Sequence, residues 1–163
     1  MAGALFDGAG DAGRLRCWLG PKRCTQVLAD RLGWDTLTDT VEQVYDALSP
    51  AQRAQACVLA SNDGEAGALS QLAAPGELPP IISGHNNYSL WGSGTCTGQV
   101  LIVVGFAASD LQEASIYYTH IALVVTQECS YCVFFECRVP IYILSGATRP
   151  IFPQLWSSLK HFD

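Results

Sequence analysis

The chain has 163 residues, of which 49% are hydrophobic and 15% are charged, and its formal net charge is −6. This composition excludes an intrinsically disordered chain and suits one globular domain with its own core. The nine lysines and arginines form no cluster, which argues against nucleic-acid binding because that function needs basic residues grouped on one surface.

The predicted elements alternate helices with apolar strands. In chain order they are a helix at 35–48, a short helix from Ser49, a strand at 57–60, a helix at 65–72, strands at 79–83 and 99–106, a short helix from Ser109, strands at 116–125 and 139–144, and a helix near 150–160. The strand at 99–106 is apolar throughout, so we expect it at the centre of the sheet. The alternation predicts an α/β fold with a three-layer, mostly parallel, Rossmann-like sheet of about five strands and helices on both faces.

The apolar runs are too short to cross a membrane. The longest span 100–108 and 121–125, whereas a membrane-spanning helix needs about 20 apolar residues. The start of the chain has acidic residues where a signal peptide has basic ones. We therefore predict a flexible leader over residues 1–22, a single α/β domain over residues 23–163, and a cytoplasmic location for the protein as encoded.

The seven cysteines do not indicate a regular disulfide framework, because their number is odd. In a reducing compartment most of them would be free thiols. Cys129 and Cys132 form a single Cys-x-x-Cys pair, whereas a structural zinc site needs four ligands. The residues after this pair are typical of an extended segment and not of the helix that follows a redox motif. The sequence therefore predicts no metal and no cofactor.

Polar residues are concentrated in three loops, at 62–65, 83–86 and 145–150. Each loop follows a predicted strand. In an open α/β sheet, ligands bind outside the carboxyl ends of the strands. If these strands are parallel, the three loops lie together and form one binding site.

Seven residues in or next to these loops are candidate ligand-binding residues. Amide and carboxylate groups can hydrogen-bond hydroxyls, a histidine can exchange a proton near neutral pH, and an arginine beside a helix start suits an anion. Aromatic rings offer flat faces to a sugar or an apolar chain. Each residue also has a purely structural interpretation, in turns, in caps or in the core. The candidates are Asn62, Glu65, His85, Asn86, Tyr88, Trp91 and Arg149.

The motifs that contain these residues resemble a known family. Residues 60–67 have the pattern Ala-Ser-Asn-x-Gly-Glu-Ala-Gly, and residues 78–92 contain Ser-Gly-His-Asn-x-Tyr followed by Leu-Trp-Gly. With Leu-Gly-Trp at 32–34, Cys-x-Tyr-Cys at 129–132 and Lys-His-x-Asp at 160–163, the matching motifs cover roughly residues 24–163 in the same order. The chain resembles the C-terminal soluble domain of bacterial dolichyl-phosphate-mannose-protein mannosyltransferase-like membrane proteins, which are similar to glycosyltransferase family 39.

The resemblance implies an accessory module for a sugar, a lipid-phosphate head group or an acceptor. In the full-length relatives, catalysis depends on acidic residues of the membrane-embedded part, which is not present in this sequence. The chain also departs from the family pattern, because Val133-Phe134 replaces Met-Pro and Cys137 replaces Asn.

Three hypotheses about function follow. The first is a non-catalytic binding domain that uses the seven candidates. The second is a small hydrolase or transferase with His85 as general base and Glu65 as the orienting carboxylate, although no catalytic triad or phosphate loop can be assigned. The third is an interaction protein that forms a homo-oligomer through residues 116–125, whose β-rich character suits an edge strand.

Overall fold

The computed structural model describes residues 31–132 and 136–162. They fall into two compact units. The first contains residues 31–33 and the described part of 128–138, and the second contains residues 34–127 and 139–162. The leader predicted over residues 1–22 lies outside the described residues.

The second unit contains nearly all of the regular structure. Helix α1 spans Trp34–Asp46, α2 spans Pro50–Arg53 and α3 spans Asp63–Leu72. The strands are β1 at Ala56–Ala60, β2 at Ile81–Ser83, β3 at Val100–Val104, β4 at Tyr118–Glu128 and β5 at Arg138–Ala147. Short 3₁₀ helices span Asn86–Trp91, Glu113–Ile116 and Trp156–Leu159.

Local sequence signals account for the first helices. Ser49 and Gln52 form the capping box that begins α2, with Pro50 at its first position. Helix α1 already begins at Trp34, so Asp35 lies in its first turn, where a carboxylate favours the helix dipole. Within the described residues, no helix is both long and apolar enough to span a bilayer.

The five strands form one sheet in the order β2-β1-β3-β5-β4. Strand β1 runs parallel to both β2 and β3, with Ala60 opposite Ser83 on one side and Val104 on the other. Strand β5 runs antiparallel to β3, so that Leu144 lies opposite Leu101 and Ile141 opposite Val104.

The prediction of a mostly parallel, Rossmann-like sheet is wrong, because the sheet is mixed. The chain passes from β4 into its sheet neighbour β5 through the segment between Glu128 and Arg138. A parallel connection needs a crossover of a dozen or more residues, whereas a short connection returns the chain antiparallel. The predicted strands at 116–125 and 139–144 left 13 residues between them, which is enough for a crossover. The observed strands extend further towards each other and leave only nine residues, which is too few.

One face of the sheet, the helical face, is covered by α1 and α3. Its strand residues Val58, Ile102 and Ile141 are each 0% exposed. They pack against Leu37 and Val41 of α1, together with Leu69 of α3. The amphipathic spacing of α1 accounts for this contact, because it puts the apolar residues on one side of the helix.

The opposite face, the loop face, is covered by 3₁₀ helices and loops, so the predicted helical layer on both faces is also wrong. Leu101, Val103 and Leu144 of the strands pack against Phe152 and Trp156. The segment predicted as a terminal α-helix contains two prolines, at positions 150 and 153. Proline removes a backbone donor and interrupts a helix, which explains why only the 3₁₀ helix at Trp156–Leu159 forms.

The cysteines differ from the expectation of mostly free thiols. A disulfide joins Cys57 of β1 to Cys96 in the loop-face cover, and a second disulfide joins Cys129 to Cys132 in the first unit. The Cys57–Cys96 bond links residues separated by 39 positions. It therefore anchors the cover of the loop face to the sheet.

Candidate functional site

The carboxyl ends of β1, β2 and β3 meet at one place in the second unit. Because Ala60 is opposite both Ser83 and Val104, the residues that follow these strands lie side by side. The backbone N–H of Ser61 donates to the carbonyl of Val104 at 2.9 Å. The site at this end, which we name the carboxyl-end cluster, consists of Ser61, Asn62, Asp63, Glu65, His85 and Asn86.

Asn62 holds the start of α3. It is the N-cap of the helix, and its Oδ1 accepts a hydrogen bond from the backbone N–H of Glu65 at 2.8 Å. This bond satisfies one of the free N–H groups of the first helical turn. The side-chain oxygen of Asn62 therefore has a structural role, because it caps α3.

Glu65 is a buried carboxylate, only 2% exposed. It accepts hydrogen bonds from the backbone N–H and the hydroxyl of Ser61, at 3.1 and 3.0 Å. Burial raises the pKa of Glu65, while the hydrogen bonds from Ser61 and Asn62 oppose that rise. Gly105 has a φ of +80° and faces this carboxylate so closely that a side chain there would collide with it.

His85 is paired with Asp63. Its Nδ1 lies 2.8 Å from Asp63 Oδ1 and 3.1 Å from the backbone nitrogen of Asp63. A single Nδ1 cannot donate to the carboxylate and accept from the N–H at once. The tautomer of His85 decides which of these two contacts of Nδ1 is a hydrogen bond, and both of them join the ring to Asp63. The carboxylate that orients His85 is thus Asp63, whereas the sequence analysis expected Glu65.

The C-terminal segment covers His85. The His161 ring stacks on the His85 ring, with centroids 4.8 Å apart. The backbone N–H of His161 donates to the carbonyl of Gly84, and the N–H of Asn86 donates to the carbonyl of His161. Gly84 also abuts the carbonyl of Leu159, so that a side chain at this position would collide with the backbone. His85 is consequently only 7% exposed.

Two aromatic candidates lie beside the cluster on the 3₁₀ helix that follows His85. The Tyr88 hydroxyl is 3.0 Å from Ser70 Oγ of α3. The rings of Tyr88 and Trp91 meet edge to face, with centroids 4.4 Å apart. Trp91 is 71% exposed, so the alternative that it belongs to the core does not hold.

Arg149 lies away from the cluster. The antiparallel direction of β5 puts its carboxyl end beside the amino end of β3, as the pairing of Leu144 with Leu101 shows. There the guanidinium of Arg149 stacks over the ring of Tyr117, 4.4 Å from its centroid. The predicted meeting of three loops is therefore correct for the first two loops only.

Two members of the cluster, Ser61 and Asp63, were not among the predicted site residues, and neither was His161, whose ring covers His85. Asp63 follows Asn62 directly, and its role depends on the neighbouring strand that brings His85 to it, so spacing alone gave no signal. His161 is separated from His85 by most of the second half of the chain. Its only signal was the Lys-His-x-Asp pattern at 160–163, which belongs to the family resemblance.

The cluster contains carboxylate and imidazole groups, but they are not arranged as a metal centre. Across residues 31–132 and 136–162, no group of three or more His, Cys, Asp or Glu side chains is placed to hold a metal ion. The described hydrogen bonds of Asn62, Asp63 and Glu65 connect them to neighbouring backbone and side chains. These internal hydrogen bonds fix the two loops that follow β1 and β2, and the loops can thereby present a surface to a ligand.

Comparisons with protein-family models, with curated proteins and with solved structures found no match. The resemblance to the soluble domain of sugar transferases therefore depends on the motifs at 60–67 and 78–92.

Proposed function

We propose that this chain is a non-catalytic binding domain that recognises a sugar at the carboxyl-end cluster, like an accessory module of a lipid-linked sugar transferase. The observation that carries the proposal is the exposed ring of Trp91, which is 71% exposed and held edge to face by Tyr88. A flat, fixed aromatic ring beside hydrogen-bonding groups is suited to stacking against a sugar ring.

The charges of the cluster favour a neutral sugar over a lipid-phosphate head group. Asp63 and Glu65 bring two carboxyl groups to this end of the strands. Arg149, the cation expected to hold a phosphate, lies at the opposite end of β3. Glu65 is buried, but the Asp63 side chain is 46% exposed. An anionic head group would meet the Asp63 carboxylate without Arg149 as a partner, which costs free energy.

The proposal excludes His85 as a general base. A general base must reach the proton that it removes, directly or through one water molecule. His85 is 7% exposed and lies under the stacked ring of His161. We assign it instead to the support of the 3₁₀ helix that carries Tyr88 and Trp91.

The test is the thermal stability of the full chain with a panel of mono- and disaccharides. A ligand at 100 times its dissociation constant stabilises the folded state by about 2.7 kcal/mol, and each kcal/mol raises the melting temperature by roughly 2–4 °C. We expect Trp91→Ala to lose the shift. Leu90→Ala is the matched control, since Leu90 is 73% exposed on the same 3₁₀ helix. No shift with any sugar, or equal behaviour of the two variants, would overturn the proposal.

The cysteines suggest a compartment other than the predicted cytoplasm. Disulfides persist in oxidising compartments and are rare in the cytosol. The Cys57–Cys96 and Cys129–Cys132 bonds therefore favour an oxidising environment. Alkylation of the protein under denaturing conditions, directly after extraction, checks this point. Labelling of Cys57 and Cys96 before reduction would support a cytoplasmic location.

A second candidate function is self-association through the edge strand β4, which contains most of the predicted segment 116–125. β4 is at the edge of the sheet, and its Leu123 and Val124 are 55% and 47% exposed. Between Thr119 and Gln127 it has no lysine, glutamate, aspartate, arginine or proline, the residues with which proteins protect such edges. We expect a dimer in light scattering and a monomer for Leu123→Lys. A monomeric parent chain at high concentration would contradict this candidate.

A further inference from the structure

A cavity of about 310 Å³ lies on the loop face, apart from the carboxyl-end cluster. Its floor is formed by strand residues, including Leu101, Val103 and Leu144. Its roof includes Leu111 and Phe152, which belong to the loop-face cover. The volume and the apolar lining are those of a site for a small organic molecule.

The cavity follows from the way in which the loop face is covered. Short 3₁₀ helices and loops present fewer apolar side chains to the sheet than a long amphipathic helix does. The cover is held at fixed points, by the Cys57–Cys96 disulfide and by the hydrogen bond from the Tyr118 hydroxyl to the carbonyl of Gly98 at 2.7 Å. These ties fix the position of the cover above the sheet, beside the cavity.

The polar part of the lining carries negative charge. Asp110 and Glu113 line the cavity, and both are exposed to solvent. Asp110 is fixed in place, since its Oδ2 accepts from the backbone N–H of Ala107 at 2.9 Å. In the part of the chain that the structure describes, no lysine or arginine lines the cavity. Arg149 lies next to the cavity, with its guanidinium stacked over the ring of the lining residue Tyr117. An entering ligand therefore meets apolar walls, two lining carboxylates that form an acidic rim, and one neighbouring cation.

We propose that this cavity binds a small amphiphilic amine, with its apolar part among the leucines and its ammonium group at Asp110 and Glu113. Burial of the apolar part supplies the affinity, because it removes apolar surface from water. The acidic rim supplies the selectivity, because it favours a cation and disfavours an anion of the same shape.

This site is distinct from the proposed sugar site, although one residue borders both. The side chain of Leu159 lines the cavity, while its backbone carbonyl abuts Gly84 beside His85. Binding of an amine therefore does not depend on Trp91 or His85. The sugar-binding proposal and the amine-binding proposal can therefore fail independently of each other.

The first experiment is displacement of N-phenyl-1-naphthylamine, a neutral apolar fluorescent probe, from the full chain at neutral pH. The competitors are octylamine, octanol and octanoate, which share one chain and differ in head-group charge. We expect the amine to compete best and the carboxylate worst. Equal competition by all three would overturn the role of the acidic rim, and no binding of the probe would overturn the cavity site.

Two variants locate the site. Ala114→Leu fills the space from the roof, so we expect loss of probe binding together with an unchanged or higher melting temperature. Ala108→Leu, at an exposed position outside the lining, is the control and keeps binding. Glu113→Gln is expected to weaken the amine about two- to fivefold and to leave octanol unchanged. Probe binding by Ala114→Leu as tight as in the parent would place the ligand elsewhere.

Discussion

The two faces of the sheet are closed in different ways. On the helical face, α1 and α3 cover Val58, Ile102 and Ile141, which are fully buried. On the loop face, 3₁₀ helices and loops leave a cavity of about 310 Å³ over Leu101 and Val103. Regular helices cover a sheet continuously because their apolar residues recur along one side. A cover made of 3₁₀ helices and loops leaves space above the sheet. It also needs specific bonds to keep its position.

The ties of the loop face are specific bonds between single groups. The Cys57–Cys96 disulfide, the Tyr118 hydroxyl and the Trp156 indole N–H, which donates to the carbonyl of Ser89 at 3.0 Å, connect the cover to its surroundings. Packing on the helical face is spread over many contacts. The loop face should therefore depend more strongly on a few groups.

The largest expected effect is loss of the Cys57–Cys96 disulfide. Closing a loop of 39 residues reduces the entropy of the unfolded chain and stabilises the fold by about 4 kcal/mol. The double variant Cys57→Ala/Cys96→Ala should lose about this much in chemical denaturation. Cys129→Ala/Cys132→Ala is the control, because its loop is short and its loss is expected to be roughly 1.5 kcal/mol. Equal losses would mean that the disulfide does not hold the loop face.

The next prediction compares adjacent residues of β3 that point to opposite faces. Ile102 is 0% exposed on the helical face, and Leu101 is 2% exposed beside the cavity. Ile102→Ala should cost about 2–5 kcal/mol of unfolding free energy. Leu101→Ala should cost less, because a side chain at a cavity wall has fewer packed neighbours to lose. Urea denaturation of both variants measures the difference, and a larger loss for Leu101→Ala would contradict the comparison.

The same contrast explains what the sequence could predict. Helix α1 and strand β3 were predictable because the apolar periodicity of a helix and the β-rich run of a strand are local properties of the sequence. The capping box at Ser49 and Gln52 was predictable for the same reason. Strand direction is not local. It depends on the length of the connection between β4 and β5, and the predicted strand ends made this connection longer than the nine residues that the structure leaves between Glu128 and Arg138.

The sequence predicted the part of the candidate site that parallel strands bring together. Asn62, Glu65, His85 and Asn86 follow β1 and β2, and they do meet at one end of the sheet. Arg149 follows an antiparallel strand and lies at the other end. The pairing of His85 with Asp63 depends on side-chain orientation across two loops, which residue spacing does not determine.

A smaller effect is expected at Gly84, where the loop-face cover meets the carboxyl-end cluster. An alanine there would collide with the carbonyl of Leu159, so Gly84→Ala should cost about 1–3 kcal/mol. The matched control is Gly67→Ala within α3, which has nothing within 4 Å of the added carbon and should stabilise by about 0.5–1 kcal/mol. Thermal denaturation distinguishes the two. A neutral Gly84→Ala would show that the C-terminal segment is not packed on the cluster.

The last prediction compares the titratable group buried at the start of α3 with the one buried on the loop face. Burial raises the pKa of both Glu65 and Tyr118 above their ordinary values of 4.5 and 10.0. Of these two groups, only the carboxyl group of Glu65 can make stability depend on pH between acidic and neutral values, because the tyrosine hydroxyl titrates above pH 10.0. A folded-state pKa above the unfolded one means that the folded chain binds this proton more tightly. The contribution of Glu65 to stability therefore decreases as the pH rises from 4.5 to the raised value.

Glu65→Gln tests this effect because its amide oxygen can accept the same hydrogen bonds from Ser61 without carrying a charge. We expect the variant to lose the decrease in stability over that interval and to be at least as stable as the parent at neutral pH. Tyr118→Phe is the control, since it removes the hydroxyl bond to Gly98 and should lower stability by a similar amount at pH 4.5 and at pH 7. Denaturation curves measured across this range give the slopes. A parent whose stability rises relative to that of Glu65→Gln through the interval would show that the hydrogen bonds from Ser61 outweigh the burial of Glu65.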